Sequence, residues 1–358
     1  MRSLGVWVYL QLGSWLYRSI RLCLKYAIRC IQIVLSRPRD FEPVVKVGEY
    51  LIGGVIRTGI HHLTPPIIVK KSVLIGNVMF GHPIVFAAFQ GDYNQLELWL
   101  RLGLGGGCFK TITTDSRRGN VRPRYQEVVY KGQSSLINAL GLPGPGIDQF
   151  LEEIKQKDLF RYGRPLGISI GGHCLADYLM VYDRIIEFVD VAGLEGCVYC
   201  ELNISCPNTP SGTDLSQNLD QLNELLVTMR ARSSVLIGVK ASPDQADHDL
   251  LALAKVVSSV SNMYLNLGNT QYKACYDVGL NDGDMSIGGG GLSGPTLYQR
   301  TLEMVRLIRP LGIPMMATGG VSNFNRVQEV LSEGALLVGV ATALVQDPFT
   351  VSKWVKKL

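Results

Sequence analysis

Short apolar runs alternate along this chain with amphipathic stretches, and the two periods stay separate. The runs lie at residues 83–88, 107–113, 166–170, 198–204, 235–240, 263–267, 314–318 and 336–340, each the length of a buried strand. The stretches between them repeat at helical spacing. In 216–230, Leu219, Leu222, Leu226 and Met229 share one face and Ser216 is the expected N-cap. Eight strands alternating with helices predict an α/β fold, a (β/α)8 TIM barrel. A doubly wound open sheet is the rival, but it usually stops at five or six strands.

The chain before residue 66 follows a different pattern. Residues 67–80 read as two short strands joined at the turn pair Gly76-Asn77. Upstream, 42–61 is helical and ends before Pro65-Pro66. Residues 4–17 form an apolar run too short to span a bilayer, which takes about 20 residues. Over 18–36, Arg18, Arg21, Lys25 and Arg29 recur every three or four positions among apolar residues. That stripe predicts a helix lying in a membrane interface. A cleaved signal, an Arg-rich targeting segment or a helix packed on the chain's own body are the alternatives. The expected division is a helical, membrane-associating extension over 1–65 and a barrel over 66–358.

Composition narrows the function classes. Of 358 residues 47% are hydrophobic and 18% charged, which suits a large globular core. The net charge of +5 is concentrated in seven basic residues before Asp40, where no acidic residue stands. The remainder is close to neutral, so nucleic acid is not the expected partner of the main domain. The eight cysteines form no metal signature. Cys197 and Cys200 are spaced as a pair, but in a strand positions three apart face opposite ways. No metal site is expected.

In a parallel barrel, chemistry belongs at the carboxyl ends of the strands. The fourth strand breaks at Cys206-Pro207, placing Asn203, Cys206 and Asn208 on that rim. Amides offer paired donors and acceptors to a planar ligand, and a thiol with an ordinary pKa of about 8.5 is readily poised as a base. Strand two carries Lys110 and strand five ends in Lys240. Two lysines ending apolar runs on one rim point to an anionic ligand. Gly319-Gly320 after strand seven and Ala341-Thr342 after strand eight are small residues where such barrels often hold a phosphate.

These same segments resemble the dihydroorotate dehydrogenase family, over nearly all of the chain from about residue 66. The match is densest in Asn203-Ile204-Ser205-Cys206-Pro207-Asn208-Thr209-Pro210. Lys110-Thr111-Ile112-Thr113 with Gly119-Asn120 and Pro123-Arg124, and Asn138 through Pro143, are similar to further family segments. So are Asn269-Thr270, the glycine-rich stretch 288–294 and Thr318-Gly319-Gly320.

The resemblance implies that Lys110, Asn138, Asn203, Asn208, Asn269 and Thr270 hold dihydroorotate or orotate, with Cys206 as catalytic base. It implies FMN bound by Ala87, Ala88, Lys110, Lys240, Gly291, Gly319, Gly320, Ala341 and Thr342. The cysteine base is similar to class 1 of the family, and the N-terminal extension to the membrane-bound, quinone-reducing class 2. A quinone is thus the expected acceptor. The expected location is a membrane, either the cytoplasmic face of a bacterial inner membrane or the mitochondrial inner membrane. A related FMN enzyme for another dihydropyrimidine or cyclic enone, or an inactive membrane-docked barrel, are the alternatives. One departure stands out: Phe89 follows Ala87-Ala88 where the family has a glycine facing the ring.

Overall fold

Strands whose residues are apolar on both faces must be covered on both, and a closed barrel ringed by helices does this. The computed structural model describes residues 2–59, 66–68, 71–204 and 215–358. Its elements in chain order begin with α1 (Arg2–Val34), α2 (Glu42–Arg57), β1 (Val73–Ile75), β2 (Val78–Phe80), β3 (Ile84–Phe86), α3 (Tyr93–Arg101) and β4 (Gly107–Ile112). Next come β5 (Tyr125–Tyr130), β6 (Gln133–Asn138), α4 (Ile147–Lys155), β7 (Leu166–Ile170), α5 (Leu175–Ala192), β8 (Val198–Asn203), α6 (Leu219–Arg232) and β9 (Ile237–Ala241). The rest are α7 (Asp247–Ser258), β10 (Met263–Leu267), β11 (Gln271–Ala274), β12 (Gly289–Ser293), α8 (Tyr298–Ile308), β13 (Met315–Thr318), α9 (Phe324–Ser332), β14 (Leu337–Val340), α10 (Thr342–Gln346) and α11 (Pro348–Lys357).

β3, β4, β7, β8, β9, β10, β13 and β14 close into a parallel barrel in that order. They are the eight strands expected from the apolar runs, with ends differing by one or two residues. Outside the barrel, Leu222, Leu226, Val181, Ile185, Leu253 and Val305 belong to one continuous core with Ile168, Leu202 and Leu265. The β1–β2 hairpin plugs the amino end: Ile75, Val78 and Phe80 pack against Val85, Leu236 and Tyr264.

Two sequence expectations are corrected. The helix after β8 starts at Leu219 rather than near Ser216, because the Asn218 side chain accepts from the Gln221 N–H at 3.1 Å and caps it. Cys197 lies just before β8 and is exposed, while Cys200 is buried in the wall. The sequence reading also missed a second, antiparallel sheet, in the order β11-β12-β6-β5. Its β5–β6 turn is Lys131-Gly132, both with positive φ, the geometry that joins tight hairpins.

The N-terminal segment is a single long helix rather than an apolar run followed by a basic one. Leu10 is buried with Ile67 and Leu102, and Ser14 hydrogen-bonds Asp347. Arg18 pairs with Asp347, and Arg21 and Lys25 both pair with Glu127 of β5. The basic stripe therefore has partners in the body of the protein. α2 is fastened alongside by a two-pronged bond from Arg124 to Glu42, at 2.9 and 2.8 Å. No described helix is long and apolar enough to cross a membrane.

Burial alone would raise the Glu127 carboxyl, but Arg21 and Lys25 outweigh it and hold it below the usual carboxylate range. Its contribution is therefore complete above the unfolded value and is lost as pH falls through the lowered one. Glu127→Gln should destabilise the protein by about 1.5–3 kcal/mol at neutral pH. Urea melts should show that gap closing in acid; an equal gap at both pH values would remove this account of how α1 is held.

Candidate active site

The carboxyl ends of the barrel strands open into a cavity of about 1070 Å³ that runs outward between α1 and α2. Ala87, Ala88, Lys110, Asn138, Asn203, Lys240, Asn269, Thr270, Gly319, Gly320, Ala341 and Thr342 all line it. Gly291 does not. Its Cα faces Thr270, and its carbonyl accepts from Asn138 Nδ2 at 3.4 Å. Cys206 and Asn208 lie outside the described residues.

Strand alternation turns Asn203 inward, and hydrogen bonds fix how the amides of Asn138, Asn203 and Asn269 face. Asn203 Nδ2 donates to Thr111 Oγ1 at 3.1 Å, and Thr111 in turn bonds Ser169 at 2.9 Å. The Asn203 main-chain carbonyl accepts from the Tyr178 hydroxyl at 3.0 Å. Asn269 Nδ2 reaches Asn203 Oδ1 at 3.5 Å, while the Thr270 N–H holds Asn269 Oδ1 at 2.9 Å. Amides on β6, β8 and the loop after β10 are thus presented to one space. Ser169, Thr111 and Tyr178 were not among the sequence candidates, because their part is to orient others.

Two cations, Lys110 half-buried and Lys240 buried, face the same cavity. The Lys110 ammonium forms no hydrogen bond or ion pair among the described residues. Burial, helped by Arg124 and Lys46, lowers its pKa to about 8 against the opposing pull of Glu42 and Glu49. Lys240 is only 7% exposed, flanked in register by Asn203 on β8 and Asn266 on β10. Lysines sheltered in this way, without carboxylate partners among the described residues, suit an anionic ligand.

The opposite wall is glycine backbone packed close against its own neighbours. Gly319 and Gly320 both have positive φ, and a Cβ on Gly320 would stand 2.2 Å from the Tyr298 amide nitrogen. Gly339 leaves space for Thr318, whose buried Oγ1 lacks a partner among the described residues. Thr342 donates to Ser293 at 3.0 Å, bringing two hydroxyls to the cavity edge. Small walls, bare backbone and two cations fit a planar group bearing a phosphate, as FMN is. Phe89 does not obstruct this wall. Its ring lines the cavity but stacks on Trp99, with centroids 5.3 Å apart, on the side of the turn after β3.

A mixed rim joins the site to the passage between α1 and α2. Gln90 donates to Glu49 at 3.0 Å, and Glu49 pairs with Lys46 at 2.8 Å. Beyond them the lining turns apolar, with Leu16, Ile20 and Leu24 from α1 facing Val45, Ile52 and Val55 from α2.

The family model described as dihydroorotate dehydrogenase matches residues 71–358. A relative from Fusobacterium nucleatum, named the catalytic subunit of dihydroorotate dehydrogenase B (NAD(+)), is 32% identical over 293 residues, covering 81% of this chain and 92% of its own. The Listeria innocua protein of the same name is 28% identical over 296 residues, covering 82% and 90%. Ligand-free DHODH from Eimeria tenella superposes with a TM-score of 0.70 at 21% identity, covering 87% of this chain and 92% of that one. The same protein with ferulenol gives 0.68 at 22%, covering 87% and 89%. At that identity the likeness speaks for the fold alone.

The membrane location expected from the basic stripe is overturned. The curated relatives are named as catalytic subunits of an NAD(+)-linked enzyme, and the stripe is engaged with Glu127 and Asp347.

Gly320 offers a direct check of the phosphate wall. Gly320→Asp, which adds bulk and like charge, should yield folded protein without flavin absorbance. Gly320→Ala should hold FMN about tenfold more weakly, through its strained φ and crowded Cβ. Flavin retained at wild-type affinity in both variants would place the phosphate elsewhere.

Proposed function

We propose, for a chain that belongs to the dihydroorotate dehydrogenase family and is an FMN-dependent oxidoreductase of pyrimidine biosynthesis, a catalytic cycle divided between a cysteine base and an apolar acceptor passage. The observation that carries the first part is the set of inward amides beside two lysines at the barrel rim that have no partner among the described residues. Asn138, Asn203 and Asn269 hold the amide and carbonyl edges of dihydroorotate, and Lys110 meets its carboxylate. Cys206, which follows Asn203 closely in the chain, takes a proton from the carbon beside the ring carbonyl. Lys240, Gly319, Gly320 and Thr342 would hold FMN, which would supply a hydride acceptor and a route for the electrons to a second acceptor. Lys240 offsets negative charge arising on that group. Asn208, two residues on from Cys206 in the chain, completes the substrate set in this reading.

The apolar lining between α1 and α2 supports a lipophilic, quinone-like acceptor, because it reaches from the protein surface to the cofactor wall. A second reading follows the relatives' names, with NAD(+) as the final acceptor. Protein reduced anaerobically by dihydroorotate should be reoxidised rapidly by a short-chain quinone and slowly by NAD(+). Ile52→Trp, which narrows the passage, should slow the quinone reaction about tenfold or more while leaving reduction by dihydroorotate unchanged. Fast reoxidation by NAD(+), indifferent to that substitution, would favour the second reading.

For the base, Cys206→Ala should keep substrate affinity, since the asparagines remain. Anaerobic stopped flow should show flavin reduction slowed by about 10²- to 10⁴-fold, the usual worth of a positioned base. Cys206→Ser should recover in part at high pH, because a hydroxyl is harder to ionise than a thiol. Reduction of the alanine variant at the wild-type rate would remove Cys206 from this role.

A further inference from the structure

One ionisable residue inside the barrel is left unused by the mechanism above. Glu201 lies on β8 one layer beneath Asn203 and is fully buried. Its Oε2 accepts from the Tyr264 hydroxyl and from Asn266 Nδ2, both at 2.8 Å. Its Oε1 has no partner among the described residues. The two donors come from the second strand over, beyond β9. They reach Glu201 because Gly238, its register partner, carries no side chain: a Cβ there would stand 2.1 Å from the Tyr264 ring.

The position of this carboxylate is specific. Lys240 stands two residues beyond Gly238 on the same strand and face, with Asn266 as its neighbour on β10. The other ionisable groups in the layer are Cys108 and the tyrosines. Burial first, and the Glu201 charge after it, push Cys108 and Tyr264 up, so both stay neutral. A buried carboxylate with a half-satisfied head is costly just above an apolar plug, and a hub for two hydrogen bonds could be built from a neutral amide. The feature that only a charge supplies is a field at the cavity floor, opposing that of Lys240.

We propose that Glu201 is a positioning residue for the flavin electrostatics: a fixed negative charge beneath the cofactor wall that tempers Lys240 and keeps the bound FMN from being reduced too favourably. The proposal rests on the reading that Lys240 meets the flavin. It gives the chain a means of releasing electrons to its acceptor, since a flavin over Lys240 alone would hold them more tightly.

The test is the midpoint potential of bound FMN, measured at pH 7 by chemical reduction against a reference dye. Glu201→Gln preserves shape and an acceptor for Tyr264 and Asn266. Glu201→Met removes the charge at similar volume, a replacement buried ionic sites often tolerate, so one folded variant suffices. Either should retain FMN and shift its reduction equilibrium towards the reduced form by about tenfold, equivalent to roughly 30 mV for a two-electron couple. Reoxidation by the acceptor should slow accordingly. An unchanged potential, with only a lowered melting temperature, would leave Glu201 a structural hub and overturn the proposal, as would loss of FMN from a folded variant. Wild-type protein that binds FMN but is not bleached by dihydroorotate would overturn the substrate reading alone, because chemical reduction does not depend on it.

Discussion

A closed parallel barrel forces alternate residues of eight strands into one interior, and every polar group placed there must find a partner or a ligand. In this chain that constraint sorts the interior by depth. The amino end is filled by apolar side chains and sealed by the β1–β2 hairpin. Above it come Glu201, Tyr264 and Asn266, satisfied mainly by one another. The uppermost layer holds Lys110, Lys240 and Asn203, whose polar ends face the cavity. Polarity rises towards the carboxyl ends because only there can an anionic ligand complete what the protein leaves open.

The elements added to the barrel extend this site. The antiparallel sheet β11-β12-β6-β5 has its own small core of Val128, Ile137, Ala139 and Leu292, and it sets Asn138 over the cavity. The same sheet presents Glu127 to α1, and the loop before it presents Arg124 to Glu42 of α2. One hairpin thus orders both a substrate-side amide and the two helices that wall the passage. Arg124 also donates to the Arg118 and Asn120 carbonyls, so the ion pair that fixes α2 steadies the loop beside the substrate segment. Loss of α1 or α2 would be felt at the site through these bonds as well as in the passage.

Much of the candidate site could be read in advance because its residues stand at strand ends, where a break in an apolar run is visible in one dimension. Lys110, Asn203, Lys240 and Gly319-Gly320 are of this kind. Gly291 was drawn in by its place in a glycine-rich stretch, yet it serves close packing on Thr270 and does not face the cavity. Glu201 passed unnoticed: within an alternating strand its face was clear, but a charged residue on an inward face reads as a defect until its partners on β10 are known. The hairpin of β5 and β6 was legible in principle from Lys131-Gly132 and the alternation around it.

By itself the sequence determined the barrel, since the period of apolar residues dictates which faces must be buried and how many strands and helices share them. It determined which residues stand at the rim too, since alternation and strand length fix which residues reach the carboxyl ends. Only the tertiary structure decided what the charges do. Ser14 and Asp347 are 333 positions apart, and Arg21 meets Glu127 from another element, so most of a stripe that looks addressed to a membrane is taken up within the fold. The reason is physical: burial is encoded locally by periodicity, whereas the worth of a charge depends on its distance to every other charge, which the linear order does not contain.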